Sequence, residues 1–456
     1  MCPTLVMVLL AGVPKAPPDA ELVVYVPHLD ALSTVTPFFR AAGSRSPLMR
    51  VESWRGSALP LLAVDVTSQE SLSAAGIDPK GPLTVSKVAE RTVSCVALGD
   101  AARYAKRVSE TLGAMGKITT RQESGVPISL VRDSLDRVLA AVATQGRESC
   151  VVVGDGLSVE KQLPLLARAL VKPASPPGAA LGDKLPGVAT AFVADGARTG
   201  ALSVSAKGLR LTMDARARGL RLHPLQGAGA SPYASFAPEG MAVLRARFAP
   251  SGMPALAGEI ARDLPMATLT PLAAELGALL TGNTAVVVSH VSVTSGLRSP
   301  AARFFATRVA FLAETRDPDA ARRLLDALDR KGLSLREGRV DVTVEGSTII
   351  LSNDETVKAR ALAALASSAG QQAHAAELIA TPPLVARGLS QVPLLEVVQA
   401  PELALVLTVS TELGGLFLAS ESFTGWVDPA GAGLHRAQAT WVLDARRFAT
   451  DQGSTQ

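Results

Sequence analysis

Two stretches of the chain begin with the same pattern, a strand-like run followed by a helical stripe. Residues 20–26 (AELVVYV) are rich in β-branched side chains and include a tyrosine, which predicts a strand that ends at Pro27. Residues 242–248 (AVLRARF) begin the second stretch, and their period of two predicts a strand with Leu244 on one face and Arg245 on a wetter face. Spacings of three and four residues predict a helix after each strand. The apolar side chains of these stripes are Leu29, Leu32, Val35 and Phe39, then Leu256, Ile260 and Leu264.

Further landmarks recur in the same order, which predicts an internal duplication. The sequence DAAR at 100–103 recurs at 319–322, each time after an apolar run, and its Asp is suited to begin a helix. Residues 150–170 resemble residues 348–365, but the offset between the copies falls from 219 (100 to 319) to 198 (151 to 349). The first half therefore carries an insertion, most simply residues 129–146, which we predict to be helical.

Each half closes with runs that we predict to be antiparallel strands. The runs are TAFVADG, ALSVSA and LRLTMDARA in the first half, and LALVLTV, GLFLA and AQATWVL in the second. We therefore predict an α+β fold of two similar lobes, each a mainly antiparallel sheet with helices packed on one face.

The predicted boundaries follow Pro- and Gly-rich joints and the ends of the repeats. The segments are a signal-like segment at 1–18, a first lobe at 19–225, a linker at 226–239, a second lobe at 240–446 and a flexible tail at 447–456.

The amino-terminal segment indicates export. Residues 4–13 are almost wholly apolar, too short to cross a bilayer as a helix but of the length found in secretory signals. No Lys or Arg precedes this run, so either the true start lies upstream of Met1 or the segment is a buried first element. No later run approaches a membrane span, so we expect no transmembrane segment in the mature chain. The predicted location is the periplasm or the cell surface.

Composition excludes several classes of protein. The chain has 456 residues, of which 48% are apolar and 19% charged, enough apolar material for packed cores. Aromatic residues make up only 4%, and the net charge is +4, so neither stacking platforms nor a basic footprint supports binding to nucleic acid.

Two of the three cysteines lie in strand-like runs, Cys95 in TVSCVAL and Cys150 in ESCVVV. Two interpretations are open: a disulfide between neighbouring strands in an oxidising compartment, or two small buried apolar side chains. The sequence contains no CxxC motif, so it supports neither a zinc site nor a thioredoxin-like motif.

Motifs of catalysis and cofactor binding are missing. The five histidines are not spaced as metal ligands, and no GxSxG elbow occurs. The segment GAMGKIT superficially resembles a phosphate-binding loop. Its glycines, Gly113 and Gly116, are better explained as the end of a helix. Acidic clusters around Asp317 and Asp354 are explained by helix capping. We predict no catalytic residue, no cofactor and no metal site.

One predicted strand has an unusually basic face. Over residues 209–218, apolar residues alternate with Arg210, Arg216, Arg218 and a single Asp214. This face could bind an anionic partner, such as a lipid headgroup or an acidic protein, or it could be the solvated outer face of a sheet.

The order of elements, GIDPKGPLTVS (76–86) and CVVVGDGLSVEKQLPLL (150–166) resemble an uncharacterised exported bacterial family of the domain-of-unknown-function 3352 type. The resemblance implies an envelope or secreted protein built of α+β repeats, and it brings no catalytic residues.

The predicted function is that of a non-catalytic exported envelope protein, a binding or scaffold module for an unknown envelope protein or lipid. The alternative is a carrier of an apolar ligand, such as a lipid, in a cavity within or between the lobes. An enzyme with a scattered site is a third hypothesis.

Overall fold

The computed structural model describes most of the chain. The described residues are 16–17, 19–46, 49–50, 64–88, 91–154, 159–176, 178–182, 185–195, 197–220, 224–263, 270–290, 308–330, 340–380, 382 and 415–449. They divide into two compact units, Met1–Gly219 and Leu220–Gln456. The signal-like segment lies outside the described residues except for Ala16 and Pro17; Ala16 is buried and pairs with Ala174 through two backbone hydrogen bonds. Most of the flexible tail also lies outside them.

The described part of unit one contains ten strands and five α-helices. The strands are β1 (Leu22–Val26), β2 (Leu83–Val88), β3 (Arg91–Ala97), β4 (Lys117–Glu123), β5 (Val126–Arg132), β6 (Val138–Gln145), β7 (Glu148–Val153), β8 (Ala189–Asp195), β9 (Arg198–Lys207) and β10 (Arg210–Arg218). The helices are α1 (Thr36–Arg45), α2 (Gln69–Ala74), α3 (Ala101–Met115), α4 (Leu163–Val171) and α5 (Ala179–Gly182), and a 3-10 helix covers Leu29–Thr34.

The strand pairs formed by the described residues of unit one are antiparallel. The order across its sheet is β10-β9-β8-β1-β2-β3-β7-β6-β5-β4. The predicted closing strands of the first half are confirmed as β8, β9 and β10. The predicted helix at 129–146 is wrong, because these residues form most of β5 and all of β6.

Unit one buries both faces of its sheet, so the prediction of helices on one face is wrong. Val151 packs under α3 and the 3-10 helix, whereas the next residue, Val152, packs under α4. Successive side chains of a strand point to opposite faces, and strands such as ESCVVV are apolar at consecutive positions. Each face therefore needs its own helical cover.

The described part of unit two contains ten strands and five α-helices. The strands are β11 (Gly229–Ser231), β12 (Ala242–Arg247), β13 (Leu280–His290), β14 (Arg308–Thr315), β15 (Asp341–Glu345), β16 (Thr348–Ser352), β17 (Gly370–Gln372), β18 (Ala376–Ala380), β19 (Ser420–Pro429) and β20 (Leu434–Leu443). The helices are α6 (Met253–Asp263), α7 (Thr270–Leu279), α8 (Pro318–Arg330), α9 (Glu355–Leu365) and α10 (Ala445–Ala449).

The main sheet of unit two is also antiparallel, with the order β20-β19-β18-β12-β13-β14-β16-β15, and β11 pairs separately with β17. Ile350 packs under α9, and its neighbour Ile349 packs with α6 and α8 on the other face. Both faces of this sheet are again covered by helices.

Three predictions for the second half need correction. Residues 226–239, predicted as a linker, contribute β11 and the fully buried Tyr233 and Phe236 to the core of unit two. The predicted strand GLFLA contains a helical turn at residues 415–418. In β12 the predicted faces are reversed: Arg245 is 7% exposed and Leu244 is 43% exposed. The run LALVLTV lies outside the described residues.

Arg245 is buried because the adjacent strand supplies its counter-charge. It forms an ion pair with Glu377, which lies opposite it on β18, and it also donates to the backbone oxygen of Ala234. A guanidinium can be buried when its charge and its N–H groups have such partners.

Candidate functional site

A cleft of about 230 Å³ lies in unit one between α3 and strands β4, β5 and β6. The helix contributes Tyr104, Ala105, Val108, Ser109 and Leu112. The strands contribute Ile118, Pro127, Ser129, Val142 and Thr144. The cleft therefore has an apolar helical wall and a sheet wall that includes two hydroxyl groups.

Local sequence explains how α3 is placed over the sheet. The Asp100 Oδ1 atom accepts a hydrogen bond from the Arg103 N–H at 3.0 Å, which caps the first turn. Tyr104, Val108 and Leu112 then recur every four residues and form the buried stripe. Burial of each such apolar side chain contributes about 1.5–3 kcal/mol to stability.

Gly116 makes the tight connection from α3 to β4, as the sequence predicted for the end of this helix. A Cβ atom at this position would lie 2.1 Å from the backbone oxygen of Arg132. Only glycine permits this close approach, which brings β4 back under the helix.

The hydroxyl groups of Tyr104, Thr144 and Ser149 lie close together on the face of the sheet that α3 covers. The buried Ser149 Oγ atom donates to the Ala143 oxygen at 3.2 Å, and it lies 3.1 Å from Thr144 Oγ1. The Tyr104 hydroxyl lies near Ser149 but makes no well-aligned hydrogen bond to a described residue.

Burial dominates the electrostatics of Tyr104. Removal of the phenol from water raises the pKa of Tyr104 to about 12. Tyr104 is therefore uncharged at neutral pH, like every other described residue that lines the cleft.

The described lining of the cleft offers apolar side chains and hydroxyl groups. Its described lining contains no Lys, Arg, His, Asp, Glu or Cys, so it supplies neither a general base of ordinary pKa nor a charged group for an ionic ligand. Elsewhere, the described residues bring no three His, Cys, Asp or Glu side chains together as a metal site.

The predicted basic face lies on β10, but its three arginines do not converge. Arg210 and Arg218 are exposed, Arg216 is half-buried, and the six-residue spacing separates Arg210 from Arg216 by about 20 Å along the strand. The binding of an anionic partner here stays a prediction.

Part of this basic face is covered by α5, which contacts β8, β9 and β10. Phe192 lies on the same face as Arg216, since both are opposite Ala201, and its ring packs against Gly182 of the helix. On the reverse face only Leu211 is fully buried, so the predicted division into one buried and one solvated face is too simple.

Cys95 and Cys150 occupy directly opposite positions on β3 and β7 and are joined by a disulfide. The bond closes a loop between residues 55 apart in sequence. In the chain-entropy model a loop of this length gives a stabilisation of about 4 kcal/mol. Cys150 is also fully buried, so this side chain packs in the core as well.

The acidic clusters act as the sequence predicted. The Asp317 Oδ1 atom accepts from the Ala320 N–H at 2.8 Å at the start of α8, and Asp354 Oδ1 accepts from the Val357 N–H at 2.9 Å at the start of α9. These carboxylates are helix caps.

One histidine is held in a network that sequence reasoning did not anticipate. The His374 Nδ1 atom lies 2.7 Å from Asp428 Oδ2, and the imidazole stacks on Trp426 with ring centroids 4.3 Å apart. The second oxygen of Asp428 accepts from the Ala375 N–H at 2.7 Å. Trp426 and Asp428 both lie on β19, whereas His374 lies just before β18, more than 50 residues earlier in the sequence, so no local motif marks the network.

The cleft residues were also missed. Tyr104 is the residue that could have indicated the cleft from sequence, because a phenol in an otherwise apolar stripe places a polar atom in a core. Ser129 and Thr144 were hidden because their segment was predicted to be a helix.

Comparison with known proteins gives no family. No family model matches the chain, and no curated protein matches it. Among solved structures, crystal forms III and I of TP0453 are 9% and 10% identical to the chain. The alignments cover 75% and 78% of this chain and 94% and 98% of TP0453, with a TM-score of 0.23 for each form.

Among the helices of the described residues, none has the length and apolar character needed to span a bilayer.

Proposed function

We propose that this chain is an exported, non-catalytic binding protein whose first unit holds a small apolar or amphipathic ligand in the cleft under α3. The observation that carries the proposal is the cleft itself, a preformed concave site with an uncharged lining. It favours the carrier hypothesis, with the cavity inside the first unit.

The volume of the cleft limits the ligand. About 230 Å³ corresponds to about eight water-sized groups. A diacyl lipid is far larger, so the lipid-sized slot expected from the sequence is replaced by a site for one short chain or one small ring.

The proposed compartment rests on the disulfide. A bond between Cys95 and Cys150 is typical of proteins that fold outside the reducing cytosol, which supports export to the periplasm or cell surface. We retain as a proposal the membership in the domain-of-unknown-function 3352 family. Scaffolding of another envelope component also stays a prediction.

We also propose that the two units descend from one duplicated module. The support is their shared order of strands: β10-β9-β8-β1-β2-β3-β7-β6 in unit one corresponds to β20-β19-β18-β12-β13-β14-β16-β15 in unit two. Helices occupy equivalent places, α3 with α8 and α4 with α9. Unit one then differs by the additional hairpin β4–β5.

The proposed duplication aligns the two units in a register different from that of the repeated DAAR. Asp100 caps α3, but the equivalent cap of α8 is Asp317, two residues before the Asp319 of the repeated DAAR. On this register Tyr104 corresponds to Ala321, and both are buried. The inserted hairpin provides Ile118, Pro127 and Ser129 to the cleft, so the proposed site is a feature of unit one.

The proposal is tested by filling the cleft. Ile118 lies on the cleft face of β4 at its rim, 36% exposed, so an Ile118→Trp change is expected to occupy the cleft without unfolding the unit. We expect it to weaken binding of 1-heptanol at least tenfold in calorimetric titrations of the full chain.

The matched control is Arg121→Trp, which adds the same ring to the opposite face of β4. It is expected to leave binding unchanged. Equal loss in both variants, or no binding of 1-heptanol by the folded wild-type chain, would contradict the proposed function.

A further inference from the structure

We infer that the cleft under α3 selects an uncharged aliphatic molecule whose head group donates a hydrogen bond to Thr144 Oγ1. The inference rests on the proposed function and adds the chemical class of the ligand. It depends on three features: the direction of the hydrogen bonds made by Thr144 and Ser149, the lack of charge in the described lining, and the size of the cleft.

The direction of the hydrogen bonds follows from counting protons. A serine hydroxyl has one proton and two lone pairs. Ser149 Oγ is buried and gives its proton to the Ala143 oxygen at 3.2 Å. The contact of 3.1 Å between Ser149 Oγ and Thr144 Oγ1 must then use the proton of Thr144.

Thr144 consequently faces the cleft as an acceptor. Its proton is directed to Ser149, and the half-buried Thr144 lines the cleft, so its oxygen has a lone pair left to accept from a ligand. A ligand that places an alcohol O–H or amide N–H at this point satisfies the oxygen. A ligand with only acceptor atoms leaves two acceptors facing each other.

The lack of charge in the lining excludes ionic head groups. Transfer of a carboxylate or ammonium group from water to a site without a partner of opposite charge is strongly unfavourable. None of the described residues that line the cleft carries charge at neutral pH. Fatty acid anions and amines are therefore expected to bind poorly compared with neutral molecules of the same size.

The apolar walls of the cleft determine which length of aliphatic ligand binds best. Val108 and Leu112 of α3 and Ile118 of the inserted hairpin form the apolar part of the cleft. Each methylene buried there contributes enough free energy to raise affinity about fourfold. We expect affinity to rise along a series of primary alcohols up to about eight non-hydrogen atoms and to level off once the cleft is filled.

Three probes with equal numbers of non-hydrogen atoms separate these effects: 1-heptanol, which donates and accepts; its isomer 1-methoxyhexane, which only accepts; and hexanoate, which is an anion. With the full-length wild-type chain we expect 1-heptanol to bind roughly tenfold more tightly than either of the others, since an unmet buried acceptor costs about 1–3 kcal/mol.

Variants then assign the preference to one atom. Thr144→Val keeps the shape of the side chain and removes the acceptor, so 1-heptanol should fall to the affinity of 1-methoxyhexane, whose own affinity should not fall. Thr144→Ser should keep the preference. The control is Thr119→Val, the same change on the opposite face of β4, where Thr119 pairs with Leu130 outside the lining of the cleft; it should change none of the three affinities.

The outcomes distinguish this inference from the proposed function. Equal or tighter binding of 1-methoxyhexane or hexanoate to the wild-type chain would overturn the inference while leaving a binding cleft in place. A preference for 1-heptanol that survives in Thr144→Val would also overturn it. Failure of all three probes to bind the folded chain would contradict the proposed function as well. The comparison of probes on the wild-type chain needs no variant, so it holds even if Thr144→Val does not fold.

Discussion

Tyr104 places a hydroxyl group at a position where the spacing of buried residues in α3 predicts a wholly apolar side chain. The ring completes the stripe with Val108 and Leu112, while the hydroxyl is carried into the core and ends beside Ser149. The helical spacing predicts that this residue is buried. It does not predict where the hydroxyl lies, because Ser149 comes from a strand 45 residues further along the chain.

The buried phenol makes stability depend on alkaline pH. The pKa of Tyr104 is about 12 in the folded protein against 10.0 for the free group, so between these values the unfolded chain ionises first. Below pH 10 both states are neutral, and stability falls as pH rises from 10 to 12.

Tyr104→Phe should remove this part of the alkaline loss, up to about 3 kcal/mol across the window. Urea unfolding of both proteins at pH 9 and near pH 12 measures the difference. Equal alkaline losses in the two proteins would show that Tyr104 is not the group responsible.

Residues that act across strands were the hardest to place from sequence. Cys95 and Cys150 were correctly located on strands, but only the register of β3 with β7 puts them opposite each other. Arg245 was assigned to a wet face because its counter-charge, Glu377, comes from a strand more than 130 residues later. Local patterns carry no information about such partners.

At the scale of elements, strands with one solvent-facing side were predicted well, whereas strands buried on both sides were predicted poorly. The alternation in β9 and β10 identified both. By contrast β6, with the sequence VLAAVATQ, is buried on both faces and shows no alternation, so its Leu and Ala content led to a helix prediction. The same double burial explains why helices cover both faces of each sheet.

The junction between α3 and β4 is the element on which the shape of the cleft depends. Gly116→Ala places a Cβ atom 2.1 Å from the backbone oxygen of Arg132, so the strand or the helix must shift. We expect a loss of about 1–3 kcal/mol in the free energy of unfolding, together with weaker binding of 1-heptanol.

Gly113→Ala is the matched control, because nothing lies within 4 Å of a Cβ atom added at this helical position. It should raise stability by up to about 1 kcal/mol through helix propensity alone. Chemical denaturation of the full chain measures both changes. A Gly116→Ala variant as stable as the wild type would show that α3 is not held so close to β5.

At the scale of the whole molecule, the order of landmarks predicted more than any single motif did. The fall in offset between the repeats indicated an extra segment in the first half, which we predicted at residues 129–146. On the proposed alignment the extra segment is instead the hairpin β4–β5, and β6 has a counterpart in β15. On the same proposed alignment the DAAR match is out of register by two residues. The order of elements thus supports the proposed duplication better than this short sequence match does.

The most direct test of the account is hydrogen exchange of the full chain, read by mass spectrometry with and without 1-heptanol. If the cleft under α3 is the binding site, the alcohol should slow exchange in α3 and in strands β4, β5 and β6, and leave β12 to β20 unchanged. Protection confined to unit two, or no protection at saturating 1-heptanol, would contradict the central claim.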